Sequence, residues 1–291
     1  MELARKLDAG TFVVLAEMEP PKGADASAMV GAATKVKGAV DAFLVPEMSN
    51  AVMRMSSLSG AMLLQGKGMD AIMQVNCRDR NRLALQADLL GASACGVGGV
   101  MAVSGEDPSF GDHHEARPVY DIQLLELLAA INGLQSGRDM AGVELAGAPK
   151  FVVGAAVNSA APPHELDREV VEMRKKVEAG ARFFVTPPVF DLNALEAFRQ
   201  RVSEFDVHLI PTVLLLKSLG MARYLQRHMA NVAVPGALIQ RLQKAPDKVR
   251  ECTRVAAETM IALREARYSG VLISTLGWEH KLPEILGGMG V

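Results

Sequence analysis

Short apolar segments recur along the chain at nearly even intervals, and most of them are continuously apolar or rich in β-branched residues. Strands that are buried on both faces have this composition, so the segments predict a parallel sheet. The predicted strands span residues 12–16, 42–45, 71–75, 99–103, 151–157, 183–185, 208–214 and 271–274.

Amphipathic segments with a helical period lie between these strands. The segment 80–90 carries its apolar residues on one face, with Asp79 placed to act as N-cap and Gly91 just beyond its end. A second helix is predicted over 165–179 and ends at a glycine. A third is predicted over 246–266 and begins with a proline in its first turn.

Strand and helix alternate eight times in 291 residues, which predicts a single (β/α)8 TIM barrel, an α/β fold. Because no linker-like tract divides the chain, residues 1–291 are predicted to form one domain. A doubly wound open sheet is the alternative, and it would need a phosphate-binding glycine fingerprint between a strand and a helix. The glycines at 96–99 precede no helical pattern, so they indicate close packing at the start of the fourth strand.

The composition narrows the classes of function. An apolar fraction of 49% with nearly balanced charge excludes a disordered chain. The 31 basic and 33 acidic side chains give a net charge of −2, and aromatic residues make up 4%, so nucleic acid is not the expected partner. The polar N-terminal segment and the lack of an apolar run of about 20 residues argue against a signal peptide and a membrane span. We therefore expect a cytoplasmic protein.

The cysteines and histidines show no pattern of a metal site. Cys77, Cys95 and Cys252 are widely spaced and predict neither a disulfide framework nor a ligand set. Cys252 lies on the apolar stripe of a predicted helix, which indicates a core position. His113 and His114 are adjacent in a polar stretch, which is more typical of a surface loop than of metal ligands. No metal is expected.

In a barrel of this type, chemistry takes place at the carboxyl ends of the strands. Glu17 and Glu19 follow the first strand on the same side of it, where partial burial would raise the pKa of a carboxyl and suit it to general acid catalysis. Solvated glutamates before a turn are the alternative. The acidic turn at 104–107 either binds a polar heterocycle or a cation, or is a solvated loop. Lys176 either contacts an anion or lies on a solvated helix face.

Several short segments keep the order and spacing of one known family. They are Ala-Glu-Met-Glu-Pro-Pro at 16–21, Val-Ser-Gly-Glu at 103–106, Gly-Asp-His at 111–113, Ala-Arg-Pro-Val-Tyr-Asp at 116–121, Arg-Lys-Lys-Val-Glu-Ala-Gly-Ala at 174–181 and Thr-Pro-Pro-Val-Phe-Asp at 186–191. From about residue 10 onward, the chain resembles the methylenetetrahydrofolate reductase family. The resemblance implies a (β/α)8 barrel that binds a flavin, FAD or the shorter FMN, at the carboxyl ends of its strands.

The resemblance also implies a reaction. In this family a donor reduces the flavin, and 5,10-methylenetetrahydrofolate then accepts the hydride to give 5-methyltetrahydrofolate, a step of one-carbon metabolism and methionine biosynthesis. Glu17 matches the acid that protonates the folate nitrogen so that the five-membered ring opens. The implied cofactor-binding residues are Gln74, Ser104, Gly105, Glu106, Asp121 and Lys176, and the implied substrate-binding residues are Glu17, Glu106 and Thr186.

Departures from the family pattern leave the electron donor open. Pro187 stands where many members have a glutamine that binds the pterin, so either NAD(P)H or an electron-delivering partner protein is expected, in a homo-oligomer or a hetero-complex. Two other functions stay open. One is a folate-binding barrel that transfers a methyl group without a flavin, and the other is a catalytically idle subunit, which the missing glutamine favours.

Overall fold

Eight parallel strands form a closed barrel in the computed structural model, which describes residues 2–229 and 231–290. Each strand pairs with the next one along the chain, and β8 returns to pair with β1. The closed barrel confirms the predicted (β/α)8 fold and excludes the open doubly wound sheet. The strands are β1 (Val13–Glu17), β2 (Ala42–Val45), β3 (Ala71–Asn76), β4 (Gly99–Val103), β5 (Val152–Ala156), β6 (Phe183–Pro188), β7 (His208–Leu214) and β8 (Gly270–Ser274).

Helices surround the barrel and connect its strands. Among the described residues, none of them is both long and apolar enough to cross a membrane. The helices are α1 (Glu2–Asp8), α2 (Ser27–Lys35), α3 (Ser57–Gln65), α4 (Arg82–Ala94), α5 (Leu124–Gln135), α6 (Pro163–Glu178), α7 (Leu192–Arg201), α8 (Leu219–His228), α9 (Gly236–Lys244), α10 (Lys248–Glu265) and α11 (Leu282–Met289).

The predicted ends of α4 are wrong at both sides. Asn81, not Asp79, is the N-cap, and its side chain accepts a hydrogen bond of 3.1 Å from the backbone N–H of Ala84. Asp79 is unavailable because it binds the neighbouring Arg78 instead. At the other end the helix continues through Gly91, because a glycine with favourable flanking residues costs only about 1 kcal/mol in a helix interior.

The two other helix predictions are closer to the structure. Helix α6 ends at Glu178 and is followed at Gly180 by a backbone with φ of +108°, so the predicted stop is confirmed. Helix α10 begins two residues later than predicted, because Asp247 caps it and Pro246 precedes the cap. Cys252 on this helix is buried, as predicted.

The interior of the barrel is apolar up to Glu17, the last residue of the first strand. Val13 and Leu15 point into the barrel interior, and Leu3 and Leu7 of α1 join the same apolar cluster. Because side chains alternate along a strand, Glu17 points to the same side as Val13 and Leu15, two residues nearer the carboxyl end. The apolar interior therefore ends in a carboxyl at the mouth of the barrel.

Candidate active site

Glu17 contacts the neighbouring strand β8 through a hydrogen bond. The Ser274 hydroxyl donates to Glu17 Oε1 at 2.7 Å, and Ser274 itself is buried. The register of β1 and β8 brings the ends of both strands to the same level, since Ala16 lies beside Ile273. The sequence places a carboxyl at the mouth, and barrel closure supplies its hydroxyl partner.

The surroundings of Glu17 favour its protonated form. Burial in the barrel mouth is the largest effect and raises the pKa of Glu17. The hydrogen bond from Ser274 opposes this shift, and the nearby carboxylates Glu19 and Glu279 add to it. A carboxyl whose pKa is raised by burial is suited to general acid catalysis, as the sequence predicts for this position.

Glu19 lies one pleat further on and has a charged partner. Its Oε1 is 2.9 Å from Nε of Arg54, and both side chains are about one quarter exposed. Burial raises the pKa of Glu19, while Arg54 works against that shift. Glu19 is therefore engaged in an ion pair, whereas the carboxyl of Glu17 meets a neutral hydroxyl.

A cleft of about 460 Å³ opens on the other side of the mouth, along the ends of β4, β5 and β6 and beside α6. This volume falls in the range of sites for small molecules and cofactors. Three of the predicted site residues, Ser104, Lys176 and Thr186, line it together. Its polar lining consists of Ser104, Asn158, Glu169, Lys176, Thr186 and Asn231.

The side chains of Lys176 and Asn158 can each form a further polar contact in this cleft. The Lys176 ammonium donates to the carbonyl oxygen of Ala156 at 2.9 Å and, within the described residues, has no carboxylate within 4.0 Å. Burial lowers its pKa, and Glu169 and Glu172 oppose that shift. The side-chain oxygen of Asn158 is buried without a hydrogen-bond partner among the described residues. The cleft thus offers a cation and an acceptor to a ligand.

The turn after β4 is held by an arginine that the sequence analysis did not single out. Arg78 is buried and binds both oxygens of Asp79, at 2.6 and 2.7 Å. Its Nη1 donates to the carbonyl oxygen of Glu106 at 3.2 Å and lies 3.7 Å from Glu106 Oε2. A Cβ at Gly105 would lie 2.8 Å from Cβ of Arg78, so only glycine lets the turn approach this closely. The Glu106 carboxylate itself is about half exposed.

Two other predicted cofactor residues have protein partners. Gln74 points to the mouth, and its side-chain oxygen accepts a hydrogen bond of 2.9 Å from the backbone N–H of Glu47. The Asp121 carboxylate accepts from the backbone N–H and from Nε of Arg82, both at 2.9 Å, at the start of α4. Asp121 therefore lies away from the cleft lining, and its side chain stabilises a helix end. The contact implied for its backbone stays a prediction.

Strained backbone is concentrated in the loops at the mouth. Three residues after β2 have a positive φ: Met48 at 49°, Asn50 at 55° and Ala51 at 56°. This is the left-handed region of the backbone, which residues other than glycine rarely adopt. Tyr120 after β4 and Leu276 after β8 do the same, with φ of 40° and 49°. Such strain persists only where the surrounding structure imposes it, and it is typical of functional sites.

Known proteins share sequence and fold with this chain. The family model described as methylenetetrahydrofolate reductase matches residues 2–290. The chain belongs to the methylenetetrahydrofolate reductase family. A relative from Schizosaccharomyces pombe (strain 972 / ATCC 24843), methylenetetrahydrofolate reductase 2, is 23% identical over 254 residues. That match covers 79% of this chain but 37% of the relative, so the chain spans about a third of that protein's length.

Solved structures share the barrel of this family member. An uncharacterized protein from Clostridium thermocellum, described as binding two copies of 5-methyl-5,6,7,8-tetrahydrofolic acid, has a TM-score of 0.68 at 11% identity, covering 99% of this chain and 98% of that one. EDTA monooxygenase from Chelativorans sp. BNC1 has a TM-score of 0.59 at 12% identity, covering 96% and 93%. At these identities the likeness shows the fold.

The cleft residues fit the flavin that membership of the methylenetetrahydrofolate reductase family implies. A flavin nucleotide carries ribityl hydroxyls, which can donate to the free acceptor on Asn158. It also carries phosphate, which can bind the half-buried ammonium of Lys176. The apolar walls of the cleft, from the ends of β4 to β6, suit an aromatic ring system.

Two cleft residues have signals that sequence reasoning did not use. Asn158 lies two residues beyond the end of β5, where rim residues of a barrel are found. Glu169 lies seven residues before Lys176, which is two turns of helix and therefore the same face of α6. Ser274, by contrast, has no local signal, because its importance depends on the closure of β8 onto β1.

The surroundings of the two adjacent histidines and of Cys77 bear on metal binding and on nucleophilic chemistry. His113 and His114 are exposed in the loop after β4, as expected of surface residues. Within residues 2–229 and 231–290, no group of three or more potential ligands comes together. Burial raises the pKa of the Cys77 thiol to about 11, so it is protonated at neutral pH and is a poor nucleophile.

Proposed function

We propose that this protein is a flavin-dependent reductase that converts 5,10-methylenetetrahydrofolate to 5-methyltetrahydrofolate. The observation that carries the proposal is the carboxyl of Glu17 at the barrel mouth, which accepts a hydrogen bond from Ser274 and whose pKa is raised by burial. Family membership over residues 2–290 supports the substrate, and so does the folate bound by the structural neighbour from Clostridium thermocellum.

In this proposal each residue at the mouth has its own role in catalysis or binding. Glu17 donates its proton to the folate nitrogen, which opens the five-membered ring and makes the one-carbon unit electrophilic. Glu106 orients the pterin by accepting hydrogen bonds from it, and Thr186 lines the substrate side of the cleft. Lys176 and Asn158 hold the cofactor's phosphate and hydroxyl groups, and Ser104, Gly105, Gln74 and the backbone of Asp121 complete its site. A bound flavin supplies the hydride.

The rest of the proposal concerns the assembly around the site. Residues 1–291 act as one flavin- and folate-binding domain, with FAD as the cofactor and FMN as the alternative. The electrons come from NAD(P)H or from a partner protein, in a homo-oligomer or a hetero-complex. The product would serve one-carbon metabolism and methionine biosynthesis.

The test is an absorbance spectrum of the purified protein followed by reduction and reoxidation. We expect a yellow protein whose flavin, once reduced with dithionite, is reoxidised by 5,10-methylenetetrahydrofolate. Glu17→Gln should keep the flavin content near wild type and lower the rate of folate reduction by about 100-fold or more, the usual scale of general acid catalysis.

The other functions give different results. A colourless protein that binds methyltetrahydrofolate and takes up no added FAD or FMN would indicate the methyl-transfer barrel. A yellow protein whose flavin no folate reoxidises, even with candidate partner proteins added, would indicate an idle subunit. Folate reduction by Glu17→Gln at the wild-type rate would remove Glu17 from the mechanism.

A further inference from the structure

The two oxygens of the Glu17 carboxyl have different surroundings. Oε1 accepts the hydrogen bond of 2.7 Å from Ser274, whereas Oε2 accepts none from the described residues. Ser274 is fixed in place, because it is buried and its backbone carbonyl accepts a hydrogen bond of 2.9 Å from the N–H of Leu215. A rigid strand end therefore holds one oxygen of a carboxyl and leaves the other free.

The charged groups around Glu17 do not compete for Oε2. Glu19 on the same chain segment is paired with Arg54, which comes from the loop after β2. Glu279, after β8, accepts a hydrogen bond of 3.1 Å from the backbone N–H of Gly277. Lys217, after β7, donates to the carbonyl oxygen of Leu276 and lies over the Trp278 ring. Each of these groups has a partner of its own, and Ser274 is the group that bonds Glu17.

We propose that Ser274 is a positioning residue that differentiates the two oxygens of Glu17, so that Oε2 carries and delivers the proton. In a protonated carboxyl the carbonyl oxygen is the stronger hydrogen-bond acceptor, so a hydroxyl that donates to Oε1 favours the form in which Oε1 is the carbonyl oxygen and Oε2 carries the acidic hydrogen. The proton leaves Oε2 and binds a basic nitrogen of the substrate. The negative charge that remains on the carboxylate is stabilised by the Ser274 hydroxyl. This inference rests on the proposed role of Glu17 as the acid.

The first measurement is independent of turnover. In pH-dependent infrared difference spectra of the isolated protein, the Glu17 carboxyl is the carboxylic C=O band that Glu17→Gln abolishes. A hydrogen bond to the ionised form lowers the pKa of a carboxyl, so Ser274→Ala should move the titration of this band to higher pH. Ser274→Thr keeps a hydroxyl and should restore the wild-type titration. Thr253→Val removes a buried hydroxyl on α10 and should leave it unchanged.

The second measurement follows folate reduction against pH. The rate depends on protonated Glu17 and falls as pH rises through its pKa, so Ser274→Ala should move this fall to higher pH. The rate on the acid side should decrease on the order of 10-fold, because the carboxyl loses its fixed orientation. Reduction of the flavin by dithionite should be unchanged, and Ser274→Thr should recover the rate.

The outcomes separate this inference from the function on which it rests. If the wild-type protein reduces no folate, the proposed function fails, whatever Ser274 does. If Glu17→Gln reduces folate normally, Glu17 is not the acid, and the positioning role of Ser274 fails with it. If Glu17→Gln is inactive but the carboxyl band and the rate profile of Ser274→Ala titrate as in the wild type, the positioning role is wrong. The positioning role is also wrong if Ser274→Thr behaves like Ser274→Ala, since the hydroxyl is then irrelevant.

Discussion

At Glu106 a half-exposed carboxylate lies 3.7 Å from a buried guanidinium, that of Arg78. A negative charge close to a flavin disfavours the additional charge of the reduced form, so Glu106→Gln should make the flavin easier to reduce. Folate binding should weaken by about 10-fold to 100-fold, because a hydrogen bond to a charged acceptor is lost. A redox titration and a folate binding curve measure both effects.

Asp107 is the matched control for Glu106. Its carboxylate accepts a hydrogen bond of 2.8 Å from the backbone N–H of Ser109, so it has a local structural role. Asp107→Asn should leave the flavin potential near the wild-type value. If Asp107→Asn alone shifts the potential, the assignment at this turn is off by one residue. If neither variant does, the turn after β4 is not beside the flavin.

Lys176 gives a second prediction for a single residue. Lys176→Ala removes the half-buried cation of the cleft and should weaken flavin binding by about 10-fold to 100-fold, the scale of a charged hydrogen bond. Flavin binding by the wild type should weaken as salt is added, and the variant should lose part of that dependence. Fluorescence titration of the apoprotein with flavin at several salt concentrations measures both.

Lys175 provides the control on the same helix. It is exposed and pairs with Glu172 at 2.6 Å, so Lys175→Ala should leave flavin affinity and its salt dependence nearly unchanged. If the two substitutions have equal effects, Lys176 lies on a solvated helix face and makes no specific contact with the flavin.

At the scale of elements, the loop after β4 is fitted against the loop after β2. A Cβ at Gly111 would lie 1.9 Å from the carbonyl oxygen of Ala51, which belongs to the strained segment after β2. Gly111→Ala should therefore force the two loops apart and cost about 1–3 kcal/mol of stability, as overpacking does. Hydrogen exchange should increase in residues 48–53 and 104–120, and the denaturant midpoint should fall.

Gly31→Ala tests whether any added methyl has this effect. Gly31 lies within α2 with open space around its Cβ position, so alanine should be neutral or stabilise the protein by about 1 kcal/mol. If Gly111→Ala is equally harmless and exchange in both loops is unchanged, the loops do not restrain each other.

The elements also show what sequence patterns can and cannot predict. Continuous apolar runs identify all eight strands, because burial on both faces leaves a strong local signal. Helix ends are less predictable, since Asp79 and Asn81 are both good N-caps and the choice depends on a contact between Asp79 and Arg78. The position of Glu17 follows from alternation along β1, whereas its partner Ser274 lies 257 residues away and follows only from closure.

At the scale of the whole molecule, the barrel closure that forms the site also lowers the stability of the protein, because it buries the carboxyl of Glu17. Burial disfavours the ionised form of Glu17, so its pKa is higher in the folded than in the unfolded protein. The folded protein then binds more protons than the unfolded chain between those two pKa values, and its stability falls as pH rises through that window. Each unit of difference in pKa corresponds to about 1.4 kcal/mol.

Glu17→Gln should therefore stabilise the protein in a pH-dependent way. Glutamine keeps an acceptor for the Ser274 hydroxyl but carries no charge, so the variant should match the wild type in acid, below the pKa of an unfolded glutamate. The difference in stability between the variant and the wild type should grow as pH rises and become constant above the folded-state pKa of Glu17. Denaturant midpoints across a pH series measure this, and the exposed Glu115→Gln should stay within about 0.5 kcal/mol of the wild type. If Glu17→Gln is no more stable than the wild type at alkaline pH, Glu17 ionises freely in the folded protein, and its suitability as a general acid fails together with the stability prediction.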